Sequence, residues 1–425
     1  MLSGGTKIVN AVKRLIQSKA IKNGIWLYAL QMFNSVLPLL TLPYVVRLML
    51  PEEYGIFSEA LNYVGYIVVV VEYGFSMSGA RKIAVSQDSS GDSRIFTIIM
   101  FVRGLLCCLC SLLVFVYCIV DNFSLMSLCI LALMPMSLGT VLDQTWFFHG
   151  KQDMKYIAII NIVARSISTV LIFLCVKDSS DLVVYCVLYG AVTLISGLIG
   201  TVIVCVKFGV RLQHITWTTC REEVTEGWYL FISSFSNKVL SSLGITFLGL
   251  IATSYDSGIY AALNKIPNIL LLVWNPINQV LYPITSTRML ESYQAGSKFV
   301  RKMQWIFLAF FVAVCAAIGL FAESIVGLLL GGDYVSHYAI VYPLLGWVLV
   351  AIYNNFQGVQ MLLAAGYVKE YSSCIRLSAV VAAVGNVVGI YFWGAYGAAY
   401  APLISELVLT VLLYYKRKYV LKTMT

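Results

Sequence analysis

Long apolar runs, separated by short polar stretches, follow one another along almost the whole chain. About 20 predominantly apolar residues suffice for an α-helix to cross the hydrocarbon core of a membrane, and most of the runs reach that length. The pattern therefore predicts an all-α polytopic membrane protein with about twelve transmembrane helices. The predicted spans lie near residues 25–46, 56–75, 95–120, 125–148, 157–176, 182–206, 228–252, 258–282, 303–322, 337–365, 374–392 and 396–415.

Composition supports the membrane assignment and excludes an ordinary soluble protein. Hydrophobic residues make up 60% of the 425 positions and charged residues only 12%, whereas a soluble domain has about 25% charged residues. The tenth apolar run is longer than one span needs, which predicts a kink there or a part outside the bilayer.

Lysines and arginines cluster in alternate connections between the runs. Such a bias marks the cytoplasmic side of a membrane protein. We therefore predict that both termini and the loops near 76–94, 149–156, 208–227, 283–302 and 366–373 are cytoplasmic. The net charge of +9 comes mostly from these basic clusters, which set the orientation, and it does not indicate nucleic-acid binding. The basic N-terminal segment, with Lys7, Lys13 and Arg14, acts either as a simple retention signal or as a contact for anionic headgroups.

Two segments half a chain apart resemble one another. Trp26 and the Phe33–Leu37 segment match Trp228 and the Phe235–Leu240 segment, and Gly55 recurs as Gly258 at nearly the same offset. With six spans in each half, the repeat predicts two six-helix lobes, 1–207 and 208–425, around a central cavity. The lobes would be related by an axis along the membrane normal.

Four cationic side chains lie inside apolar spans, namely Arg103, Arg165, Lys238 and Lys265. A cation at the centre of a membrane helix costs about 2.5–3.5 kcal/mol on insertion scales, so it normally faces a polar interior. We interpret these residues as candidate binding groups for an anionic cargo. They equally fit ion pairs that fix helix packing.

Further polar groups join the candidate substrate site. Asn264, Asn268 and Asn275 share one face of the eighth predicted span, and Arg47 ends the first. Amides also hold membrane helices together by hydrogen bonds, and this alternative stays open.

Carboxylates in or at the ends of apolar spans are candidates for coupling to a proton or Na⁺ gradient. Four residues qualify, namely Glu59, Glu72, Asp143 and Glu406. Each of them equally fits the neutralisation of a nearby cation.

Signs of enzymatic chemistry are weak. The eleven cysteines lack zinc-site spacing, no Gly-rich phosphate loop appears, and the predicted outer loops are short. We therefore predict a transporter without a cofactor. A cation-coupled drug antiporter would carry acidic residues at its cavity centre, and a membrane polysaccharide polymerase would carry a sizeable outer loop.

Particular motifs resemble a known family. They are the stretch Leu37–Arg47 followed by Glu53–Phe57, the stretch Glu72–Ala84, and Asp143–Gly150 after the fourth span. The chain resembles O-antigen and capsule repeat-unit flippases of the Wzx type, in the multidrug/oligosaccharidyl-lipid/polysaccharide exporter superfamily. His149 stands where that family more often has Gln.

The resemblance implies a multi-pass protein of the bacterial inner membrane. Such a flippase moves undecaprenyl-pyrophosphate-linked oligosaccharide from the cytoplasmic to the periplasmic leaflet. A polysaccharide polymerase and a chain-length regulator are the implied protein partners.

Overall fold

The structure is a computed structural model that describes residues 19–86 and 88–424. The basic residues Lys7, Lys13 and Arg14 lie outside this range. Helices account for nearly all of the described residues, and no β-strand occurs among them. The predicted all-α architecture is therefore confirmed.

Seventeen α-helices are distinguished within the described range. In chain order they are α1 (Lys19–Leu48), α2 (Pro51–Glu72), α3 (Phe75–Val85), α4 (Ser89–Val120), α5 (Leu125–Leu133), α6 (Pro135–Leu142), α7 (Thr145–Gly150), α8 (Met154–Cys175), α9 (Leu182–Lys207), α10 (Trp217–Ser241), α11 (Leu243–Ile251), α12 (Ser254–Leu263), α13 (Lys265–Glu291), α14 (Tyr293–Leu320), α15 (Ala322–Leu329), α16 (Val341–Asn355) and α17 (Val368–Met424). Short 3₁₀ helices cover Ser179–Asp181 and Gly332–Ile340, and a π-helix covers Phe356–Leu363.

Many of these helices are long and apolar enough to cross a bilayer. Eight segments of the described chain meet this requirement, and a ninth does so if α10 and α11, which meet at 64°, form one bent span. The multi-pass membrane character is confirmed, while the number of twelve spans stays a prediction.

Local chain breaks explain why several predicted spans contain more than one helix. Pro135 occupies the first turn of α6 after Met134, where its missing N–H would have no helical partner anyway. The tenth run, which was predicted to be irregular, changes from 3₁₀ to α to π geometry.

Gly394 divides α17 into the last two predicted spans. Its backbone has φ 50° and ψ −127°, a conformation that is accessible almost only to glycine. The Asp256 carboxylate accepts a hydrogen bond from the Ala395 N–H at 3.1 Å, and a Cβ at Gly394 would lie 2.6 Å from the same carboxylate oxygen. The chain therefore reverses at this position.

Two compact units make up the chain. The first contains the described residues up to Thr41 together with Ala60–Val239, and the second contains Leu42–Glu59 together with Leu240–Thr425. Trp146, Phe147 and Phe148 of α7 are buried at the centre of the first unit, with Phe75 and Phe96 packed around them. The predicted functional division at 207/208 into two lobes stays a prediction.

The core of the second unit contains an aromatic cluster around Trp274. The ring centre of Trp274 lies 5.9 Å from that of Phe311 and 5.2 Å from that of Phe356. These side chains come from α13, α14 and the π-helix, so they hold three consecutive predicted spans together.

A glycine contact in the second unit joins the two segments of the sequence repeat. A Cβ on Gly55 of α2 would lie 1.7 Å from the Ser254 carbonyl oxygen, and a Cβ on Gly258 of α12 would lie 1.7 Å from the Pro51 carbonyl oxygen. Pro51 and Ser254 occupy equivalent positions in the two segments, as Gly55 and Gly258 do. Each glycine therefore contacts, in the other segment, the residue that lies four positions before the equivalent glycine. This reciprocal arrangement is what two repeat-related segments around a local two-fold axis would give.

Candidate functional site

Lys238 lies half-buried on α10 against polar and aromatic side chains of α2, all within the first unit. Its Nζ donates a hydrogen bond to Asn62 Oδ1 at 2.8 Å and lies 5.0 Å from the centre of the Tyr66 ring. Gly65 permits the approach, because a Cβ there would be 2.9 Å from Nζ. One of the predicted cations therefore contacts an amide and an aromatic ring of the second predicted span.

This arrangement suits a carbohydrate linked to phosphate. A lysine ammonium binds phosphate as a point charge, and an aromatic face can pack against apolar surface such as that of a sugar ring. Tyr66 packs in turn on Phe235, with ring centres 6.0 Å apart, so its ring is supported from behind.

Arg103 of α4 is in a different environment, since its side chain is completely buried. Its Nη1 donates hydrogen bonds to the carbonyl oxygens of Thr140 at 3.1 Å and Asp143 at 3.0 Å. Its Nη2 lies 4.0 Å from a carboxylate oxygen of Glu72. In this conformation Arg103 joins α4 to α2 and to the end of α6.

Arg165 is half-buried on α8. Its Nε atom is buried and lacks a hydrogen-bond partner among the residues that the structure describes. The guanidinium lies near enough to Tyr189 of α9 for an electrostatic interaction. Arg165 is thus a cation with unused donor capacity inside the first unit.

The amide stripe of the eighth predicted span belongs to the second unit. Lys265 begins α13 and is exposed, as is Asn275. Asn268 Nδ2 donates to the Asn264 carbonyl oxygen at 2.7 Å, while the buried Asn264 Oδ1 has no hydrogen-bond partner within the described chain. Asn264 itself lies at the break between α12 and α13.

Arg47 lies in the last turn of α1 and is exposed. Its guanidinium donates a hydrogen bond to the Leu328 carbonyl oxygen at the end of α15. Arg47 and Lys265 therefore belong to the second unit, whereas Arg103, Arg165 and Lys238 belong to the first. That all five line one cavity stays a prediction.

A family profile described as polysaccharide biosynthesis protein matches residues 20–289, which is more than half of the chain. The chain belongs to the polysaccharide biosynthesis protein family. The matched region contains all the predicted intramembrane cations, and membership agrees with the resemblance of the sequence motifs to repeat-unit flippases.

Two curated relatives carry the name "Putative O-antigen transporter". The relative from Escherichia coli (strain K12) is 26% identical over 394 residues, which is 92% of this chain and 95% of the relative. The relative from Shigella dysenteriae is 25% identical over 398 residues, 92% of this chain and 98% of the relative.

Solved structures of distant transporters share the fold of this polysaccharide biosynthesis protein. The lipid II flippase MurJ in an inward closed conformation superposes with a TM-score of 0.71 at 10% identity, over 94% of this chain and 87% of MurJ. An inward-facing multidrug transporter of the MATE family superposes with a TM-score of 0.64 at 14% identity, over 91% and 98% of the two chains. At these identities the likeness concerns the fold alone.

Two of the four carboxylates that were predicted to couple transport to an ion, Glu59 and Glu406, lie in the second unit. Glu59 is buried, its Oε1 has no hydrogen-bond partner in the described range, and Ser254 and Ser257 lie near it. Glu406 accepts a hydrogen bond from Asn354 Nδ2 at 2.7 Å. Neither of them forms an ion pair among the described residues.

The other two candidate carboxylates lie in the first unit. Glu72 accepts hydrogen bonds from the N–H groups of Gly74 and Ser76, both at 2.9 Å, and thereby caps α3. Asp143 accepts from the Thr145 hydroxyl at 2.6 Å. Both also lie close to Arg103, so a role in charge neutralisation fits their positions.

The sequence analysis missed an ion-pair cluster between α3 and α10. Lys82 Nζ lies 2.6 Å from Glu223 Oε2 and 2.8 Å from Glu226 Oε2. Tyr73 stacks on Phe231 in the same contact, with ring centres 4.8 Å apart. Opposite charges at the ends of two apolar runs were visible in the sequence, but nothing there indicated that these two runs are neighbours.

Proposed function

We propose that this protein is a flippase for undecaprenyl-pyrophosphate-linked oligosaccharide repeat units in O-antigen or capsule assembly. It would carry them from the cytoplasmic to the periplasmic leaflet of the bacterial inner membrane by alternating access. Family membership, the O-antigen transporter name of the relatives and the flippase-like fold support this proposal. We place both termini in the cytoplasm and propose the polymerase and the chain-length regulator as partners.

The observation that carries the proposal is the environment of Lys238. A cation is held within a bent apolar span beside an amide and an aromatic ring. A diphosphate cannot cross hydrocarbon unaided, because an isolated charge there is poorly solvated. A half-buried ammonium with polar neighbours supplies such an anion with a counter-charge along the route.

The two arginines of the first unit receive different proposed roles. Arg103 is fully buried and bound to carbonyl groups, so it positions helices and adds positive potential without contacting cargo. Arg165 has a donor without a partner in the described chain and joins Lys238 as a direct contact. Lys265, Asn264, Asn268, Asn275 and Arg47 contribute from the second unit.

The experiment is complementation of a strain that lacks its repeat-unit flippase, with membrane abundance measured for every variant. Lys238→Gln should lose surface polysaccharide at normal abundance, and Lys238→Arg should retain part of it. Arg103→Gln should instead lower abundance, because it leaves carbonyl groups and Glu72 without their buried partner.

Two results would contradict the proposal. One is full export by the Lys238→Gln variant at normal abundance. The other is purified protein in vesicles that fails to move a fluorescent undecaprenyl-pyrophosphate oligosaccharide but moves a cationic drug. The second result would favour the antiporter class.

A further inference from the structure

Two arginines and two tyrosines lie together in the second unit, where α14 begins and α17 ends. Tyr293, the first residue of α14, lies near enough to Arg301, Arg417 and Tyr367 for electrostatic interaction with each of them. Arg301 belongs to α14, Arg417 to the last part of α17, and Tyr367 to the connection that precedes α17. We call these four residues the arginine–tyrosine cluster. None of them belongs to the predicted cargo site.

The arginine–tyrosine cluster has no carboxylate that balances its charge within the described chain. Neither Arg301 nor Arg417 forms an ion pair there, and the groups that interact with Tyr293 include no aspartate or glutamate. Guanidinium groups and tyrosine hydroxyls both donate hydrogen bonds. The cluster therefore presents positive charge and donors, which an anion would satisfy.

Buried amides hold Arg417 in place. Its Nη1 donates a hydrogen bond to Gln357 Oε1 of the π-helix and lies 3.4 Å from Met361 Sδ. Gln357 Nε2 donates in turn to Gln304 Oε1 of α14 at 2.8 Å, and the two glutamines are only 8% and 5% exposed. An arginine that merely marks the basic end of a span extends its head into water. Arg417 is instead half-buried and oriented, and its Nη2 and Nε donate to no described residue.

Exposed aromatic side chains lie one helical turn deeper in the spans than the two arginines. Trp305 follows Arg301 by four residues on α14 and is 66% exposed, and Tyr414 precedes Arg417 by three residues on α17 and is 58% exposed. Residues three or four apart lie on the same face of a helix, so an apolar surface continues from each guanidinium. A ligand that fits both features has an anionic head and apolar chains.

We propose that the arginine–tyrosine cluster binds the phosphate of an anionic phospholipid, whose acyl chains pack against Trp305 and Tyr414. Arginine forms charge-assisted, often paired hydrogen bonds with phosphate oxygens, and basic pockets between membrane helices bind anionic headgroups. A zwitterionic headgroup such as that of phosphatidylcholine is held less tightly, because its own cation meets the two guanidiniums. Lipid binding does not depend on what the protein transports, so a failed flipping assay would leave this proposal intact.

The test measures thermal unfolding of the detergent-purified full chain with phosphatidylglycerol or phosphatidylcholine added at the same molar fraction. We expect phosphatidylglycerol to raise the melting temperature in a saturable manner and phosphatidylcholine to raise it much less, since a ligand that binds only the folded state stabilises it. Arg301→Gln and Arg417→Gln should each raise the half-saturating fraction of phosphatidylglycerol by about tenfold, as expected for the loss of a hydrogen bond between charged groups.

Lys302→Gln is the matched control. Lys302 is an exposed cation next to Arg301 on α14, but successive residues of a helix point about 100° apart, and Lys302 is not among the groups that interact with Tyr293. This variant loses the same charge and should respond to phosphatidylglycerol as the wild-type protein does. Because Arg301 is itself exposed, Arg301→Gln tests the proposal even if Arg417→Gln does not fold.

Four outcomes would overturn the inference. Equal stabilisation by the two lipids would mean that the headgroup is not recognised. A Lys302→Gln variant that loses as much affinity as Arg301→Gln would reduce the effect to general surface charge. Inorganic phosphate that stabilises the protein as strongly as phosphatidylglycerol would make the cluster a site for free anions. Undecaprenyl diphosphate that displaces phosphatidylglycerol at a much lower fraction would assign the cluster to the cargo.

Discussion

The contact between Gly55 and Gly258 predicts that a single methyl group on either residue will force α2 and α12 apart. The Cβ of Gly55→Ala would lie 1.7 Å from the Ser254 carbonyl oxygen and 2.9 Å from the Gly258 nitrogen. A close carbon–oxygen contact is about 3.3–3.6 Å. Because the obstacle is backbone, no rotamer change relieves the overlap, and the helices must separate locally by well over an ångström.

The expected cost combines two opposing effects. Overpacking a tight contact lowers the unfolding free energy by about 1–3 kcal/mol and sometimes more. Replacing glycine by alanine inside a helix raises it by about 0.5–1 kcal/mol. Because this overlap lies at the severe end of overpacking, we expect each variant to lose about 2 kcal/mol of unfolding free energy. For a cooperative unit of about 200 residues, this corresponds to a melting temperature lower by about 4–8 °C.

The assay is thermal unfolding of purified variants, with Gly104→Ala as control. Gly104 lies inside α4 with no atom within 4 Å of its added Cβ, so this variant should be neutral or slightly more stable. The double variant Gly55→Ala with Gly258→Ala should cost less than the two single costs together, because the first methyl already opens the interface that the second one enters. A melting temperature of Gly55→Ala equal to that of Gly104→Ala would refute the close approach.

Three further predictions concern an ion pair, a glycine and the membrane orientation. Lys82→Glu should lower the unfolding free energy by about 1 kcal/mol, a small loss because Lys82 is partly exposed. Adding Glu223→Lys to the same chain should restore most of that loss. A double variant no more stable than the single one would contradict the pairing. Gly394→Ala should cost about 1–3 kcal/mol in unfolding free energy, since alanine is strained at that backbone conformation, and an unchanged melting temperature would count against it. In a cysteine-free chain, single cysteines at Arg211 and Lys298 should stay unlabelled by an impermeant thiol reagent in intact cells, and strong labelling would reverse the proposed orientation.

Sequence alone predicted the helices well where the physical signal is local. The apolar run 95–120 appears as Ser89–Val120, because apolar length and the Asp88 cap, which accepts a hydrogen bond from the Gly91 N–H at 2.9 Å, are properties of neighbouring residues. The division of the last long helix at Gly394 was also predicted as a gap between two runs. Internal breaks such as the one between Ser241 and Leu243 were missed because the apolar run continues through them.

The candidate site could be predicted only in part, because its contacts join distant parts of the chain. Lys238 and Asn62 are 176 positions apart, and an amphipathic face does not say which other face it meets.

Arg103 and Lys238 look equivalent in the sequence, yet the structure gives them opposite surroundings. The planar guanidinium of arginine offers five donors in a fixed fork, and Arg103 uses part of that fork to join the carbonyl oxygens of Thr140 and Asp143 in a fully buried position. A cargo that must be released needs weaker and more accessible counter-charges. The half-buried Lys238 has that character, because a compact, strongly hydrated charge binds phosphate without bidentate geometry. Burial, rather than charge or position in an apolar run, is therefore what separates a structural cation from a candidate cargo contact in this protein.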